Sequence, residues 1–239
     1  MPLPTDPHHP LALARANARL EAASPQEVLA FALAAFGSRI ALASSFGLED
    51  VVLVDMLHRT GQPFRVFYLD TDVLFPETYD LIERVRRRYG IALERLSPRL
   101  SLGAQAERHG DALWAREPDR CCAIRKVEPL TRALAGLDAW ITGIRRDQTP
   151  ARAHAGRIEW DSAHALAKVN PLAPWTIEQV WRYVRANDVP YNPLHDRGYP
   201  SIGCTHCTRP VGAGEDPRAG RWAGFAKTEC GLHVAQPTV

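Results

Sequence analysis

The amino-acid sequence predicts an α/β fold in which a parallel sheet carries helices on both faces. Short apolar runs alternate with segments that have the apolar spacing of helices. Strand, helix, strand and helix follow one another within about 50 residues, an order typical of parallel strands joined by crossover helices. The 239-residue chain is long enough to bury a core and shows no internal repeat or clear linker, so we expect one domain over residues 1–239.

Each element in the first half of the chain has its own signal. Residues 11–36 are rich in Ala and Leu, and the residues from Ser24 to Glu27 form the capping-box pattern that begins a helix. The helical segments that follow the first and second apolar runs both end at glycine. The predicted strands span residues 39–46, 64–72, 91–97 and 139–146.

The second half is less regular. The segment between the third and fourth strands is predicted to be helical and to be split in two by Pro129. Another helix begins after Thr176, its expected N-cap. Glycine and proline dominate from Pro190 onward, so we expect an irregular C-terminal segment in which residues 208–239 are mobile. The proline-rich residues 1–10 are expected to form a loose arm.

The charge balance excludes a polyelectrolyte partner. The formal net charge is +2, from 29 Lys and Arg against 27 Asp and Glu, so we expect no nucleic-acid binding. No signal peptide or membrane span is present in the sequence, which predicts a cytoplasmic protein without membrane association. In a reducing compartment, cysteines more often bind metals or act in catalysis than form disulfides.

Four of the five cysteines form two close pairs. Cys121 and Cys122 are adjacent, whereas Cys204 and Cys207 have a two-residue spacing that is common among metal ligands. A disulfide between sequence neighbours closes a strained ring. Structural zinc sites use ligands two to four residues apart, whereas in an iron–sulfur cluster each thiolate binds its own iron. The adjacency therefore favours [4Fe–4S] and leaves zinc as an alternative.

Polar residues follow two predicted strands at the sheet edge where open α/β folds bind ligands. Hydroxyl and backbone N–H groups come from residues 44–47, and the end of the fourth strand with the loop after it contains Arg145, Arg146 and Arg152. Guanidinium groups bind phosphate-like oxyanions through paired hydrogen bonds. The arginines favour an anion site, and an ordinary charged turn is the alternative.

Cys230 stands apart from the other cysteines. A lone cysteine is usually an inert, buried thiol. Its polar neighbours include Lys227 and His233, and positive charge stabilises a thiolate. The glycine-rich stretch before it suits a segment that swings over a ligand. The pattern indicates a nucleophile on a mobile flap.

Six stretches together resemble the assimilatory adenylyl-sulfate reductases of the adenylyl/phosphoadenylyl-sulfate reductase family. They are SSFGLED, LDTDVLFPET, RCCAIRKVEPL, TGIRRDQTPAR, NPLHDRGYPSIGCTHCTRPV and GRWAGFAKTECGLH, and the resemblance runs from about Ile40 to His233. It implies an adenine nucleotide alpha-hydrolase-like fold. It also implies thioredoxin-dependent reduction of adenosine 5′-phosphosulfate to sulfite and AMP, in sulfate assimilation and cysteine biosynthesis.

The resemblance also implies a role for each site residue. Cys230 is the implied nucleophile, which attacks the sulfur, expels AMP and carries an S-sulfonate that thioredoxin releases as sulfite. Lys126 is placed between cluster and substrate. The implied ligands of one [4Fe–4S] cluster per subunit are Cys121, Cys122, Cys204 and Cys207. The residues implied around the phosphosulfate are Arg152, Arg218, Arg221 and His233. Those in the motifs that hold the adenosine part are Ser44, Ser45, Thr71 and Gly143.

Several alternatives stay open. Many family members read LDTG where this chain has Asp72 in LDTD, and an acid facing the ribose would repel a 3′-phosphate. Members that use 3′-phosphoadenosine 5′-phosphosulfate commonly lack the paired cysteines, but that substrate is the first alternative. The others are an ATP-dependent adenylating enzyme, which would need a glycine-rich loop in place of SSFGLED, and a zinc-stabilised binding module with an inert Cys230. The oligomeric state, a homo-oligomer included, is also open.

Overall fold

The computed structural model describes residues 10–233. The predicted arm at residues 1–10 thus lies outside the described residues, apart from Pro10, which begins the first helix. The helices are α1 Pro10–Leu20, α2 Pro25–Phe36, α3 Leu48–Arg59, α4 Pro76–Tyr89, α5 Leu102–His109, α6 Leu113–Arg116, α7 Pro118–Cys122, α8 Glu128–Leu134 and α9 Ile177–Ala186. The strands are β1 Ile40–Ser44, β2 Val66–Leu69, β3 Leu93–Leu96, β4 Ala139–Ile141, β5 Ile158–Asp161 and β6 Leu166–Val169. None of the described helices is long and apolar enough to cross a membrane.

The strands form one mostly parallel sheet in the order β3-β2-β1-β4-β6-β5. In β1, Leu42 lies opposite Val66 of β2 on one side and Ile141 of β4 on the other. All four predicted strands are present and parallel, which confirms the α/β fold class. The sequence does not predict the β5–β6 hairpin, because its turn has no glycine and Ala165 takes the positive φ of 54° instead. β6 extends the parallel set beside β4, and β5 closes the edge as an antiparallel strand.

Helices cover both faces of the sheet. Ile40 and Leu42 of β1 pack into the larger core, whereas Ala41 between them faces a smaller core that contains Leu130 of α8. The larger core encloses α3, in which every residue from Val51 to Leu57 is buried. The first turn of α3 is therefore held firmly at the carboxyl edge of β1.

Both predicted helix caps are confirmed. The hydroxyl of Ser24 accepts a hydrogen bond from the Glu27 backbone N–H at 3.2 Å. The hydroxyl of Thr176 accepts one from Gln179 N–H at 3.4 Å. In each case the side chain at the third helical position bonds back to the cap, so that both helices begin with a complete capping box.

The prediction that Pro129 splits the cysteine-bearing helix is wrong. The chain stays helical from α7 through a π turn at Ala123–Val127 into α8. The Glu128 N–H donates to the carbonyl of Ala123, five residues back, just before the proline that lacks a donor. The π turn therefore accommodates the proline by a local change of hydrogen-bond register, directly after Cys122.

The loop after β2 is held by a buried arginine. Asp72 has a φ of 60°, the left-handed conformation that glycine adopts without strain. Its carboxylate pairs with the guanidinium of Arg125, which is 1 % exposed. Arg125 also donates to the Thr71 carbonyl at 2.7 Å and to Gln105 of α5 at 3.1 Å. The side chain of Asp72 thus points to Arg125, which settles the direction that its sequence position left open.

We expect Asp72→Gly to destabilise the protein by about 2 kcal/mol. Glycine would relieve the backbone strain at the positive φ, which is worth about 1 kcal/mol. The substitution would also leave the buried Arg125 charge without its carboxylate, a larger loss. Chemical denaturation of the wild type and the variant would measure the difference in the free energy of unfolding.

Asp188 provides the matched control. It also has a positive φ, of 48°, but its side chain is 97 % exposed and pairs with Arg88 on the surface at 3.3 Å. Asp188→Gly should therefore raise the free energy of unfolding by up to about 1 kcal/mol, because glycine relieves the same backbone strain and the exposed ion pair contributes little. An equal effect of the two substitutions would show that the Arg125 pair contributes nothing to stability.

Candidate functional site

The four paired cysteines line one cavity. Cys121 and Cys122 are the last two residues of α7, and Cys204 lies across from them, paired in an isolated β-bridge with Leu74 after β2. A short 3₁₀ turn, closed by the Cys207 N–H on the Cys204 carbonyl at 3.0 Å, brings in the fourth thiol. The cavity is completed by Val73, Trp114, Arg125, Lys126, His206 and Trp222. Two cysteine pairs far apart in sequence therefore meet at the carboxyl edge of β2.

The cavity thiols are largely buried, and burial disfavours their ionised form. Burial, reinforced by the neighbouring thiols, raises the pKa of Cys121 to about 11 and that of Cys207 to about 11. The hydroxyl of Thr71 lies 3.3 Å from the Cys204 sulfur. Within residues 10–233, no group of three or more His, Cys, Asp or Glu side chains is placed to hold a metal ion. The donor set is nevertheless all thiol, so its chemistry fits an iron–sulfur cluster.

Lys126 lies between the cavity and Cys230. Burial lowers the pKa of its ammonium group, but the thiols of Cys204 and Cys230 outweigh burial and raise it. Cys230 is half-buried, and the next residue, Gly231, packs close to Val127 of the π turn. The fifth thiol therefore sits against the same turn that carries the lysine.

Two arginines hold the residue before Cys230. Arg152 donates Nε to Glu229 Oε1 at 3.0 Å and Nη2 to Oε2 at 2.7 Å. Arg218 donates Nη2 to the same Oε2 at 3.3 Å, and Thr149 donates its hydroxyl to Oε1 at 3.3 Å. Burial lowers the pKa of Arg218, partly offset by Glu229. The geometry of this arginine pair is that of an oxyanion site filled by a carboxylate.

Three of the predicted anion-binding side chains keep a buried nitrogen without a hydrogen-bond partner in the part of the chain that the structure describes. These atoms are Arg218 Nε, Arg221 Nε and His233 Nδ1. The His233 ring stacks on Trp140 with centroids 5.4 Å apart. Burial and the nearby cations Lys168 and Arg152 lower the pKa of His233 well below its ordinary value. Buried donors without partners are rare, and here they point to a ligand that accepts hydrogen bonds.

The predicted nucleotide residues divide into two groups. Ser45 donates both its backbone N–H and its hydroxyl to Asp50 Oδ2, at 2.6 and 2.8 Å. A side chain at Gly143 would collide with Asp50 Oδ1, so the glycine allows the loop after β4 to approach α3. Ser44 is buried beside them, and its hydroxyl accepts from Phe46 N–H at 3.1 Å. Thr71, in contrast, lies with the thiols.

Sequence reasoning missed Asp50, around which the loops after β1 and β4 are arranged. Burial raises its pKa to about 6, although the hydrogen bonds from Ser45 act to lower it. The available signal was an acid in the first turn of a helix that follows a buried strand. The loop that closes over it at Gly143 lies far away in sequence.

The prediction that three arginines after β4 form one anion site is wrong for two of them. β4 ends at Ile141 rather than at residue 146, and the chain turns away from the sheet. Arg145 is paired with Glu49 at 2.8 Å and with Asp147, and Arg146 is paired with Glu21 at 2.6 Å. Only Arg152 of the three reaches the C-terminal segment.

Comparisons with known proteins agree with this arrangement. The model of the phosphoadenosine phosphosulfate reductase domain matches residues 39–210. A phosphoadenosine 5′-phosphosulfate reductase from Gloeobacter violaceus is 51 % identical over 214 residues, covering 88 % of this chain and 89 % of the relative. Adenosine 5′-phosphosulfate reductase 1 of Bacillus subtilis is 49 % identical over 207 residues, covering 86 % and 89 %.

Solved structures also share the fold. A phosphoadenylyl-sulfate reductase from Candida auris, crystallised with phosphate, is 37 % identical with a TM-score of 0.75, covering 83 % of this chain and 97 % of that one. An FMN adenylyltransferase from Candida glabrata, 17 % identical with a TM-score of 0.58 over 78 % of this chain and 61 % of that one, shares the fold alone. The expected adenine nucleotide alpha-hydrolase-like α/β fold is confirmed. The chain belongs to the phosphoadenosine phosphosulfate reductase family.

Proposed function

We propose that this protein reduces adenosine 5′-phosphosulfate to sulfite and AMP in sulfate assimilation, with thioredoxin as the electron donor. The observation that carries the proposal is the position of Cys230 between Lys126 and the arginines that hold Glu229. A thiol flanked by cations is suited to attack an anionic sulfur centre. Family membership and the names of the relatives support the same reaction class.

The proposed chemistry is two displacements at sulfur. The Cys230 thiolate attacks the sulfur of the phosphosulfate, the S–O bond breaks, and AMP leaves with the electron pair. A thiolate of reduced thioredoxin then attacks Cys230 Sγ, the bond to the sulfonate breaks, and sulfite leaves with that pair. The second thioredoxin thiol closes its disulfide and frees Cys230, so that thioredoxin loses the two electrons that sulfite gains.

The cations are assigned by their positions. Lys126, Arg218 and Arg221 would stabilise the phosphosulfate oxygens. The Nε groups of the two arginines are buried, so water competes little for their hydrogen bonds. His233 is neutral near pH 7 because its pKa is depressed, so it donates a hydrogen bond rather than a charge. Of the predicted mobile residues 208–239, the last six lie outside the described residues, and the described residues 208–233 would move as the segment that delivers the thiol.

The four cavity thiols would hold a [4Fe–4S] cluster, one per subunit: Cys121, Cys122, Cys204 and Cys207. When bound, the cluster would draw the charges of the four thiolates into one group beside Lys126 and would link α7 to the C-terminal segment. Two displacements at sulfur need no one-electron step in the protein. Lys126 lines the cavity and interacts with Cys230, so its ammonium group would lie between the cluster and the substrate anion.

Cys230→Ser should abolish sulfite formation and leave nucleotide affinity unchanged, because a hydroxyl is a far weaker nucleophile than a thiolate. Sulfite release with thioredoxin and AMP binding by calorimetry measure the two quantities. In the wild type without reductant, mass spectrometry should find a sulfonate on the C-terminal peptide that contains Cys230. Turnover by the serine variant, or an adduct elsewhere, would contradict the assignment.

Cys121→Ser should remove iron, acid-labile sulfide and brown colour from protein purified without oxygen, together with activity. The physical reason is the loss of one of four thiolate ligands. Cys230→Ser is the matched control and should keep wild-type iron and sulfide. Zinc without acid-labile sulfide in the wild type would instead support a zinc-stabilised module.

We expect kcat/KM for adenosine 5′-phosphosulfate to exceed that for 3′-phosphoadenosine 5′-phosphosulfate by about 100-fold. The carboxyl edge of β1 presents Glu49 and Asp50, and the adjacent Arg145 is already paired with Glu49. A 3′-phosphate near this edge would therefore meet negative charge, and the guanidinium of Arg145 beside it is already paired. Steady-state kinetics with both nucleotides test this, and an equal or reversed ratio would favour the 3′-phosphorylated substrate named for the Gloeobacter relative.

A further inference from the structure

Glu229 fills an oxyanion site. Its carboxylate receives two hydrogen bonds from Arg152, at 3.0 and 2.7 Å, and one from Arg218 at 3.3 Å. The side chain of Glu229 is 9 % exposed, so the pairing is largely shielded from water. The paired contact from Arg152 is the geometry with which a guanidinium binds two oxygens of a phosphate or sulfonate. The glutamate thus takes the place of an external anion.

The position of Glu229 in the chain makes this contact relevant to the reaction. It directly precedes Cys230, and consecutive Cα atoms are only about 3.8 Å apart. A sulfur attacked by Cys230 must approach its thiolate to about 3.5 Å. The oxygens on that sulfur would then lie in the region of Arg152 and Arg218, where the Glu229 carboxylate lies in this structure.

A sulfonate is the better partner for these cations. A carboxylate offers two oxygens, and both are used by the arginines and Thr149. The buried Arg218 Nε still has no hydrogen-bond partner among the described residues. A sulfonate or phosphate offers a third oxygen, which can accept from this remaining N–H.

We propose that Glu229 is a positioning residue that occupies the anion subsite in the resting protein and that the oxyanion of the substrate displaces it. The inference rests on the proposed function and deepens it. Displacement frees Glu229 from both arginines and, because Arg152 lies outside the C-terminal segment, it removes an ion pair that ties this segment to the rest of the molecule. The substrate oxyanion replaces the Glu229 carboxylate at the arginines, and this replacement couples substrate binding to the movement of Cys230 toward the substrate sulfur. No covalent bond changes in this step.

The test is Glu229→Gln, which keeps the shape of the side chain and removes its charge. It is combined with Cys230→Ser so that binding is measured without turnover, by calorimetry on anaerobically purified holoprotein. Because the internal competitor is weakened, the affinity for adenosine 5′-phosphosulfate should rise about tenfold. The affinity for adenosine, which has no anion, should not change.

Glu215→Gln in the same background is the matched control. It removes one negative charge from the same segment, at an exposed carboxylate paired with Arg209, and should leave both affinities unchanged. Unchanged or weaker binding of adenosine 5′-phosphosulfate to the Glu229→Gln protein would overturn the inference. An equal gain for adenosine would also overturn it, because that result would indicate general loosening of the segment.

Inorganic sulfate separates this inference from the proposed reaction. Glu229→Gln should bind sulfate more tightly than its parent whatever the substrate is, because the subsite recognises an oxyanion. A gain for sulfate in a protein whose wild type forms no sulfonate on Cys230 would support the displacement and overturn the reductase assignment. A wild type that forms the adduct, with no gain for either anion, would support the reductase and overturn the displacement.

Discussion

The thiol cavity depends on a charge that lies at its wall, the guanidinium of Arg125. A guanidinium out of water is tolerated only when its donors are paired. Its partners are the Thr71 carbonyl and the Asp72 carboxylate, both in the loop after β2, and Gln105 of α5. Thr71 in turn contacts the sulfur of Cys204. The position of the cysteine-bearing helix relative to the carboxyl edge of the sheet therefore follows from satisfying this one side chain.

The C-terminal segment is attached differently from the rest of the molecule. Its contacts include two isolated β-bridges, Leu74 with Cys204 and Thr208 with Arg221, and the ion pairs of Glu229. Because such contacts are few, breaking them together costs less free energy than detaching a strand of the central sheet. A group that bound all four cavity thiols would anchor the segment as far as Cys207. Beyond that point, the segment is held by the ion pairs of Glu229 with Arg152 and of Lys227 with Asp119, and by the stacking of His233 on Trp140.

Local sequence patterns predicted the elements that have local causes. The caps at Ser24 and Thr176 and the strands β1 to β4 were all correctly expected, because their signals lie within a few residues. The roles of Arg145 and Arg146 were not, since their carboxylate partners Glu49 and Glu21 lie far away in sequence. For the candidate site, the clustering of the four cysteines could be predicted from spacing, whereas Asp50 and Glu229 become visible only through their partners in space.

The separation of the cations into two groups bears on the kind of substrate. Lys126 lies with the cavity thiols, and Arg152 and Arg218 lie with Glu229. Cys230 lies between them, because Glu229 before it is held by the arginines and Gly231 after it packs near Val127. A single compact anion would need only one of these groups. A phosphosulfate has two anionic groups joined through one oxygen, and attack at its sulfur requires a thiolate close to the junction. The arrangement therefore favours a mixed anhydride over a simple sulfate ester.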